Sequence, residues 1–348
     1  MVCIAAFIIL AVIGLFVAIV SIFKREVGKA YLKMMKKALG CVSKKVRLQK
    51  CETGFKEDVK NTVLSKVIIK HPKWVKPLSI IMEIVSVIIV VVTVWALLTA
   101  IKSLLALWAL GTCNVTKPAA CSLGAEVCSI DEVEPKNILE STGRWFTEWG
   151  EIFGAIPDKF RDWNPEQFDF ATVSVSENDQ PLAIDILDPG CSVCLRSYLN
   201  QKSSGFFESH NVKLVPFAIQ NPDDTFKFKN SEIIVRLMFA SEKVKPGLAL
   251  MIIDHIFADH DESGIIYQTL FNNEYTTEQA TAKIETWLEE AGVTDMELKT
   301  INGLKNSDEI TNEMQKNRNI VENDIHVKGI PTMLYDGGRH TGLFESQN

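Results

Sequence analysis

Two stretches of this chain are too apolar and too long to fold into a water-soluble core. Val2–Phe23 runs 22 residues without a charge, and Leu78–Ile101 runs 24 residues with Glu83 as its one ionisable side chain. Roughly 20 apolar helical residues cross a bilayer, so residues 1–23 are expected to form one transmembrane helix and residues 78–110 a second. Lys24 and Arg25 follow the first run instead of preceding it, the reverse of a cleavable signal peptide, so that segment is expected to be retained.

Charge sets the expected orientation. Residues 24–77 carry 16 Lys/Arg against 4 Asp/Glu, whereas residues 111–348 carry 20 against 38. Loops rich in Lys and Arg stay in the cytoplasm. The basic loop 24–77 is therefore expected inside, with the N-terminus and everything after residue 110 on the other side. Within the loop, the lysines around Val27–Ala38 fit a solvated topogenic segment or one lying on anionic lipid. No aromatic stacking pattern accompanies them, so nucleic acid is not an expected partner.

Cysteine placement agrees with that orientation. Cys41 and Cys51 fall in the basic loop, and Cys3, Cys113, Cys121, Cys128, Cys191 and Cys194 fall outside it, where an oxidising compartment permits pairing. Cys121 could bridge Cys128 locally and Cys3 could meet Cys113 at the outer membrane face. Free thiols are the alternative, because spacing does not fix connectivity.

Lys102 has a stem long enough to bring its ammonium to the membrane interface. Residues 111–168 read as a cysteine-bearing juxtamembrane neck followed by an amphipathic helix. The helix carries Ile138, Leu139, Trp145, Phe146, Trp149, Ile152 and Phe153 at helical spacing. Such a stripe either packs on the following domain, the preferred expectation, or lies in the interface. From 169 to 348 the pattern is α/β. Strands are expected near Phe170–Val175, Leu182–Leu187, Val212–Ile219 and Thr332–Tyr335, and a hairpin turns at Asp336-Gly337-Gly338 to return through Arg339–Phe344. Between them, Ser231, Pro246, the Thr276/Gln279 capping box and Ser307 mark helix starts.

The chemistry concentrates at Cys191-Ser192-Val193-Cys194, directly after the apolar run Leu182–Leu187. A thiol attacks as thiolate, and the first turn of a helix stabilises that anion through unpaired N–H groups and the positive end of the dipole. Residues three apart share a helix face, so Cys194 can reach the sulfur of Cys191 to close or resolve a disulfide. Asp185 stands inside the apolar strand, where a carboxylate must be paired or protonated unless the strand is an exposed edge.

The segments Asp188-Pro189-Gly190-Cys191-Ser192-Val193-Cys194 and Val327-Lys328-Gly329-Ile330-Pro331-Thr332, with helices between them, resemble the thioredoxin superfamily. The closer resemblance is to the DsbA-like extracytoplasmic thiol–disulfide oxidoreductases. It covers about half the chain and implies a thioredoxin-like fold with a helical block inserted over about 221–323. It further implies that Cys191 attacks, that Cys194 resolves, and that Pro331 is a cis-proline facing the disulfide. Ile330 would then pair its backbone with an extended substrate, and Thr332 would open the next strand beneath it. Asp185 would move a proton to or from Cys194. Two departures stand out: Ser192 and Val193 supply no cation between the cysteines, and the closing helix usual over the sheet is not evident after the last hairpin.

The expectation is therefore a membrane-anchored thiol–disulfide oxidoreductase without a dissociable cofactor. It would act on cysteine-containing proteins and be recycled by a membrane redox partner. A non-catalytic binding, assembly or copper-handling module is the alternative, because a soft dithiol suits Cu(I). A zinc site would need more ligands than one CxxC provides, and Leu195 stands where haem attachment requires histidine. His255, Asp259 and His260 read as a solvated acidic helix end more than as a metal site, and Asn114-Val115-Thr116 is a sequon only in a secretory pathway.

Overall fold

The structure is a computed structural model that describes residues 75–345 except 122, 131, 133, 134 and 136. The apolar run Val2–Phe23, Cys3, Cys41, Cys51 and the basic loop up to residue 74 lie outside the described residues. The chain divides after Ile101 into two compact units.

Helix α1, Val75–Leu110, begins in the first unit. Among the described residues its Val87–Leu110 stretch is the one helix long and apolar enough to cross a membrane. Ile84, Ile88, Val92 and Leu97 are all exposed, and each would cost about 1.5–3 kcal/mol to hold in water instead of an apolar medium.

The second unit starts with the last turns of α1. Lys102 is buried there and ion-paired to Glu148, whose other oxygen accepts from Thr116 at 2.5 Å. The ammonium does not run out along an interface as its long stem suggested, because a carboxylate meets it in place. The neck that follows contains a Cys113–Cys121 disulfide and a short strand, β1, Cys128–Ser129. Helix α2, Ile138–Ala155, is capped by Asn137, whose side chain accepts from Glu140 N. Ile152 and Ala155 pack on Ala106 and Ala109, whereas Ile138, Leu139, Phe146 and Phe153 stay exposed. The preferred expectation, that this stripe packs on the following domain, is corrected: its buried residues join the end of α1 and not that domain's core. Small residues at 106 and 109 let α2 approach the end of α1 instead.

The remaining chain builds a five-stranded mixed sheet and supplies a partner strand to β1 in a separate two-stranded one. Strands β2 (Val173–Ser174) and β3 (Leu182–Leu187) lead into helix α3 (Ser192–Ser204), a short α4 (Phe206–Ser209) and β4 (Asn211–Pro216). Six helices follow: α5 (Ser231–Val244), α6 (Leu248–Ala258), α7 (Tyr267–Asn273), α8 (Thr277–Glu290), α9 (Asp295–Leu304) and α10 (Asp308–Asn319). After a π turn at Ile320–Asp324 come β5 (Gly329–Ile330), β6 (Thr332–Tyr335) and β7 (Gly338–Thr341). The five-stranded order is β2-β4-β3-β6-β7, with β3 parallel to β4 and antiparallel to β6. A central strand running into a cysteine-capped helix, a parallel return through β4 and a closing hairpin after a helical insertion make a thioredoxin-like α/β fold.

Local signals explain these elements. β3 is central and buried along nearly its whole length, so its sequence is almost continuously apolar. α3 stops where Gly205 turns left-handed at φ 78°. Asp336 (φ 50°) and Gly337 (φ 71°) make the two-residue hairpin turn between β6 and β7. Thr276 and Gln279 form the expected capping box, and Thr294 with Glu297 forms a second that starts α9. Ser231 is the first residue of α5 and does not cap it; Asn230 precedes the helix without a side-chain cap bond.

One sheet face meets α3, and Phe344, just beyond β7, lies along that helix through bonds to Ser197 and Asn200. Trp163, Phe168, Phe170 and the π turn share a buried cluster with Ile184, Ile186 and Leu334 of the sheet. Replacing Ile186, fully buried in the central strand, by alanine is expected to cost about 2–5 kcal/mol. Met296→Ala on the exposed surface of α9 should stay within about 0.5 kcal/mol. Urea unfolding of the two variants measures the contrast.

Candidate functional site

The turn from β3 to α3 is built around a buried carboxylate. Asp188 Oδ1 accepts from Gly190 N at 2.7 Å and from the Ser231 hydroxyl, and Oδ2 accepts from Ile219 N at 2.7 Å. A side chain that bonds the backbone two residues on pre-forms the turn. Gly190 sits so close to Phe228 and Ser231 that an added Cβ would come within 2.4 Å of Phe228 Cβ. Gln268 of α7 donates to the carbonyls of Pro189 (2.8 Å) and Cys191 (3.0 Å), and Asn272 donates to that of Gly190 (2.8 Å). The inserted helices thereby hold the loop that presents the thiols.

Cys191 is the N-cap of α3, and its sulfur lies 3.4 Å from Cys194 N. The helix aims its N-terminal N–H groups and positive dipole end at that sulfur. Cys191 Sγ is also 3.9 Å from the carbonyl oxygen of Ile330, and the Ile330–Pro331 peptide is cis. The structure thus brings Cys191, Cys194, Ile330 and Pro331 together. Thr332 is wholly buried, donates to Gly329 O at 2.8 Å and lies 3.1 Å from the Thr341 hydroxyl, so it braces the turn around Pro331 from inside.

The disulfide connectivity corrects two expectations. Cys121 is bonded to Cys113, not to Cys128, and the Cys113 sulfur is therefore taken without Cys3. Cys128 is bonded to Cys191 with a Cα–Cα separation of 6.2 Å, and Cys194 is a free, buried thiol. Burial first, then the charges of Asp185 and Asp188, push the Cys194 thiol well above its usual range.

Asp185 lies in the central strand at 1% exposure, which sets aside the exposed-edge alternative. Its Oδ2 accepts from Gln201 Nε2 of α3 at 2.8 Å, while Oδ1 has no partner. Burial raises its pKa to about 7, against the Gln201 hydrogen bond that lowers it; burial likewise raises Asp188 to about 6 despite its donors. A carboxyl poised near neutrality beside a thiol can exchange a proton with it.

Sequence reasoning missed the roles of Cys128, Gln268, Asn272 and Asp188. Only Asp188 had a local signal, the turn-forming Asp188-Pro189-Gly190. His255 pairs with Asp259 at 2.5 Å and stacks on Trp287. Among the described residues no group of three or more His, Cys, Asp or Glu is placed to hold a metal.

No protein-family model and no curated protein matches the chain. Among solved structures it is similar to the catalytic domain of Proteus mirabilis ScsC, at 16% identity over 51% of this chain and 84% of that one, TM-score 0.35. It is similar to the thiol-disulfide exchange protein alpha-DsbA2 from Wolbachia pipientis, at 15% identity over 54% and 87%, TM-score 0.37. A third likeness is to MdbA, a thiol-disulfide oxidoreductase from Corynebacterium matruchotii, at 13% identity over 51% and 89%, TM-score 0.36.

Asp185 also makes stability depend on pH. Its folded pKa of about 7 exceeds the ordinary 3.8, so the folded state holds a proton that the unfolded state releases as pH rises between those values. Stability is full below that window and declines up to about pH 7. Asp185→Asn removes this part of the decline and leaves that of Asp188, so its stability should gain on the wild type's from pH 4 to 7, by a few kcal/mol at about 1.4 kcal/mol per unit. Urea melts across that range test it; a constant difference would refute the buried acid.

Proposed function

We propose that this chain is a membrane-anchored thiol–disulfide oxidoreductase acting on cysteine-containing proteins. The single observation that carries the reading is Cys191, which caps α3, is engaged in a disulfide beside the Ile330–Pro331 turn and has a free Cys194 buried one helical turn behind it. In reduced form, Cys191 would be held as thiolate by the start of α3 and would attack a substrate disulfide, giving a mixed disulfide and one substrate thiol. Cys194 would then attack Cys191, forming Cys191–Cys194 and releasing the second substrate thiol. Run backward, the same steps oxidise a dithiol. Asp185 would take the proton from Cys194 in the forward direction and return it in reverse.

Each turnover leaves the dithiol in the opposite redox state, so a membrane redox partner that resets it belongs to the proposal. The retained spans, a cytoplasmic loop 24–77 and an extracytoplasmic C-terminal domain are supported by the charge split, by the exposed apolar surface of α1 and by two disulfides, which suit an oxidising compartment. The exposed Phe146 and Phe153 suit a headgroup layer.

The test uses reduced full-length protein in detergent with Cys128→Ser, so that Cys191 starts as a thiol that Cys128 cannot hold. Exchange with a fluorescent peptide disulfide should fall at least ~100-fold on adding Cys191→Ser. Adding Cys194→Ala should instead leave the peptide bonded to Cys191 in non-reducing gels. Unchanged exchange after Cys191→Ser would end the proposal.

A further inference from the structure

The segment bonded to Cys191 is placed as an extended substrate would be. β1 pairs antiparallel with β5, Cys128 opposite Ile330 and Ser129 opposite Gly329, and Ile130 N donates to Lys328 O at 3.0 Å. Val127 and Ile130 are buried at 8% and 3% exposure. Gly329 leaves room for this: an added Cβ there would lie 2.7 Å from Val127 Cγ2. Lys227 donates to Ser129 O at 3.0 Å, Arg196 pairs with Glu126 at 2.5 Å, and Leu343 N donates to Glu126 O at 3.1 Å. Backbone pairing supplies affinity in strand addition, and pockets for the side chains supply selectivity.

Building on the oxidoreductase reading, we propose that Cys128 is a third redox cysteine and that residues 126–130 are an internal substrate filling the peptide groove of Cys191. The groove accordingly selects an extended segment with an apolar residue just before its cysteine and another two positions after it. Release is an isomerisation. Cys194, deprotonated, attacks Cys191 Sγ; the Cys191–Cys194 bond forms and the Cys128–Cys191 bond breaks. Cys128 leaves as thiolate and takes up the proton Cys194 lost, so no oxidant or reductant is consumed. The chain then exists as a closed isomer, groove filled, and an open isomer carrying the Cys191–Cys194 disulfide. External substrates compete with a tethered thiol, and tethering gives effective concentrations in the millimolar range.

The test is acid quenching, alkylation of free thiols and peptide mapping of the full-length oxidised protein in detergent. Wild type should yield both Cys128–Cys191 and Cys191–Cys194 peptides in a ratio that re-forms after perturbation. Cys194→Ala should yield Cys128–Cys191 alone. Cys128→Ser should yield Cys191–Cys194 alone and, so oxidised, exchange with a peptide dithiol about tenfold faster or more than the wild type. The paired substitution Val127→Asp with Ile130→Asp, which leaves every thiol in place, should shift wild type toward the open isomer. A synthetic peptide carrying residues 124–132, with its Cys128 sulfur supplied as a mixed disulfide with thionitrobenzoate, should bond to Cys191 of the Cys128→Ser/Cys194→Ala protein with release of thionitrobenzoate, at least several-fold faster than the same peptide with both aspartates.

Cys191 that stays on Cys128 in every buffer, with no open isomer in wild type, would overturn the proposal in favour of a fixed structural bridge. So would equal exchange rates with and without Cys128. Absence of any exchange by the Cys128→Ser protein, with Cys191–Cys194 formed, would instead defeat the oxidoreductase reading itself.

Discussion

The site depends on one carboxylate. Asp188 has no exposure and accepts from Gly190, Ile219 and Ser231, three groups on three different segments: the turn itself, the chain after β4 and the start of the inserted helices. A buried acid without those donors would be costly to ionise, and without the acid those donors would lose their acceptor. The position of Cys191 follows, because the turn that ends β3 decides where α3 begins and so where the helix dipole points.

A second acid sits deeper. Asp185 within β3 and Asp188 just beyond its end lie three residues apart, yet their settings differ. Asp188 is satisfied by donors, and Asp185 keeps one oxygen without a partner. Unequal environments separate the tasks of paired acids. One shapes the loop, and the other, raised by burial to about 7, is the group to which the proposed mechanism gives the Cys194 proton.

Much of the domain was readable residue by residue. The run Leu182–Leu187 and the segment Thr332–Tyr335 coincide with β3 and β6, because strands buried in the middle of a sheet leave unbroken apolar patterns. The Thr276/Gln279 box worked for the same reason: its physics is local. Thr294 and Glu297 carry the same signal, but the stretch that follows them has weak apolar periodicity, and α7 is too short for periodicity to speak. An acid inside an apolar strand marked Asp185 out, but its depth rests on β3 pairing on both sides, with β4 and β6. The Cys128–Cys191 bond did not, since it joins residues 63 apart through a register between β1 and β5 that no local pattern encodes.

The Cys113–Cys121 bridge shortens the neck from the end that joins α1. With that loop closed, the leash between Cys121 and Cys128 is seven residues, about 25 Å when fully drawn out. A Cys128 released from α3 would therefore sweep a small volume around a fixed post. Its travel would be limited by covalent chain and not by diffusion, and the distance from which it can return would be set by a disulfide that takes no part in the exchange.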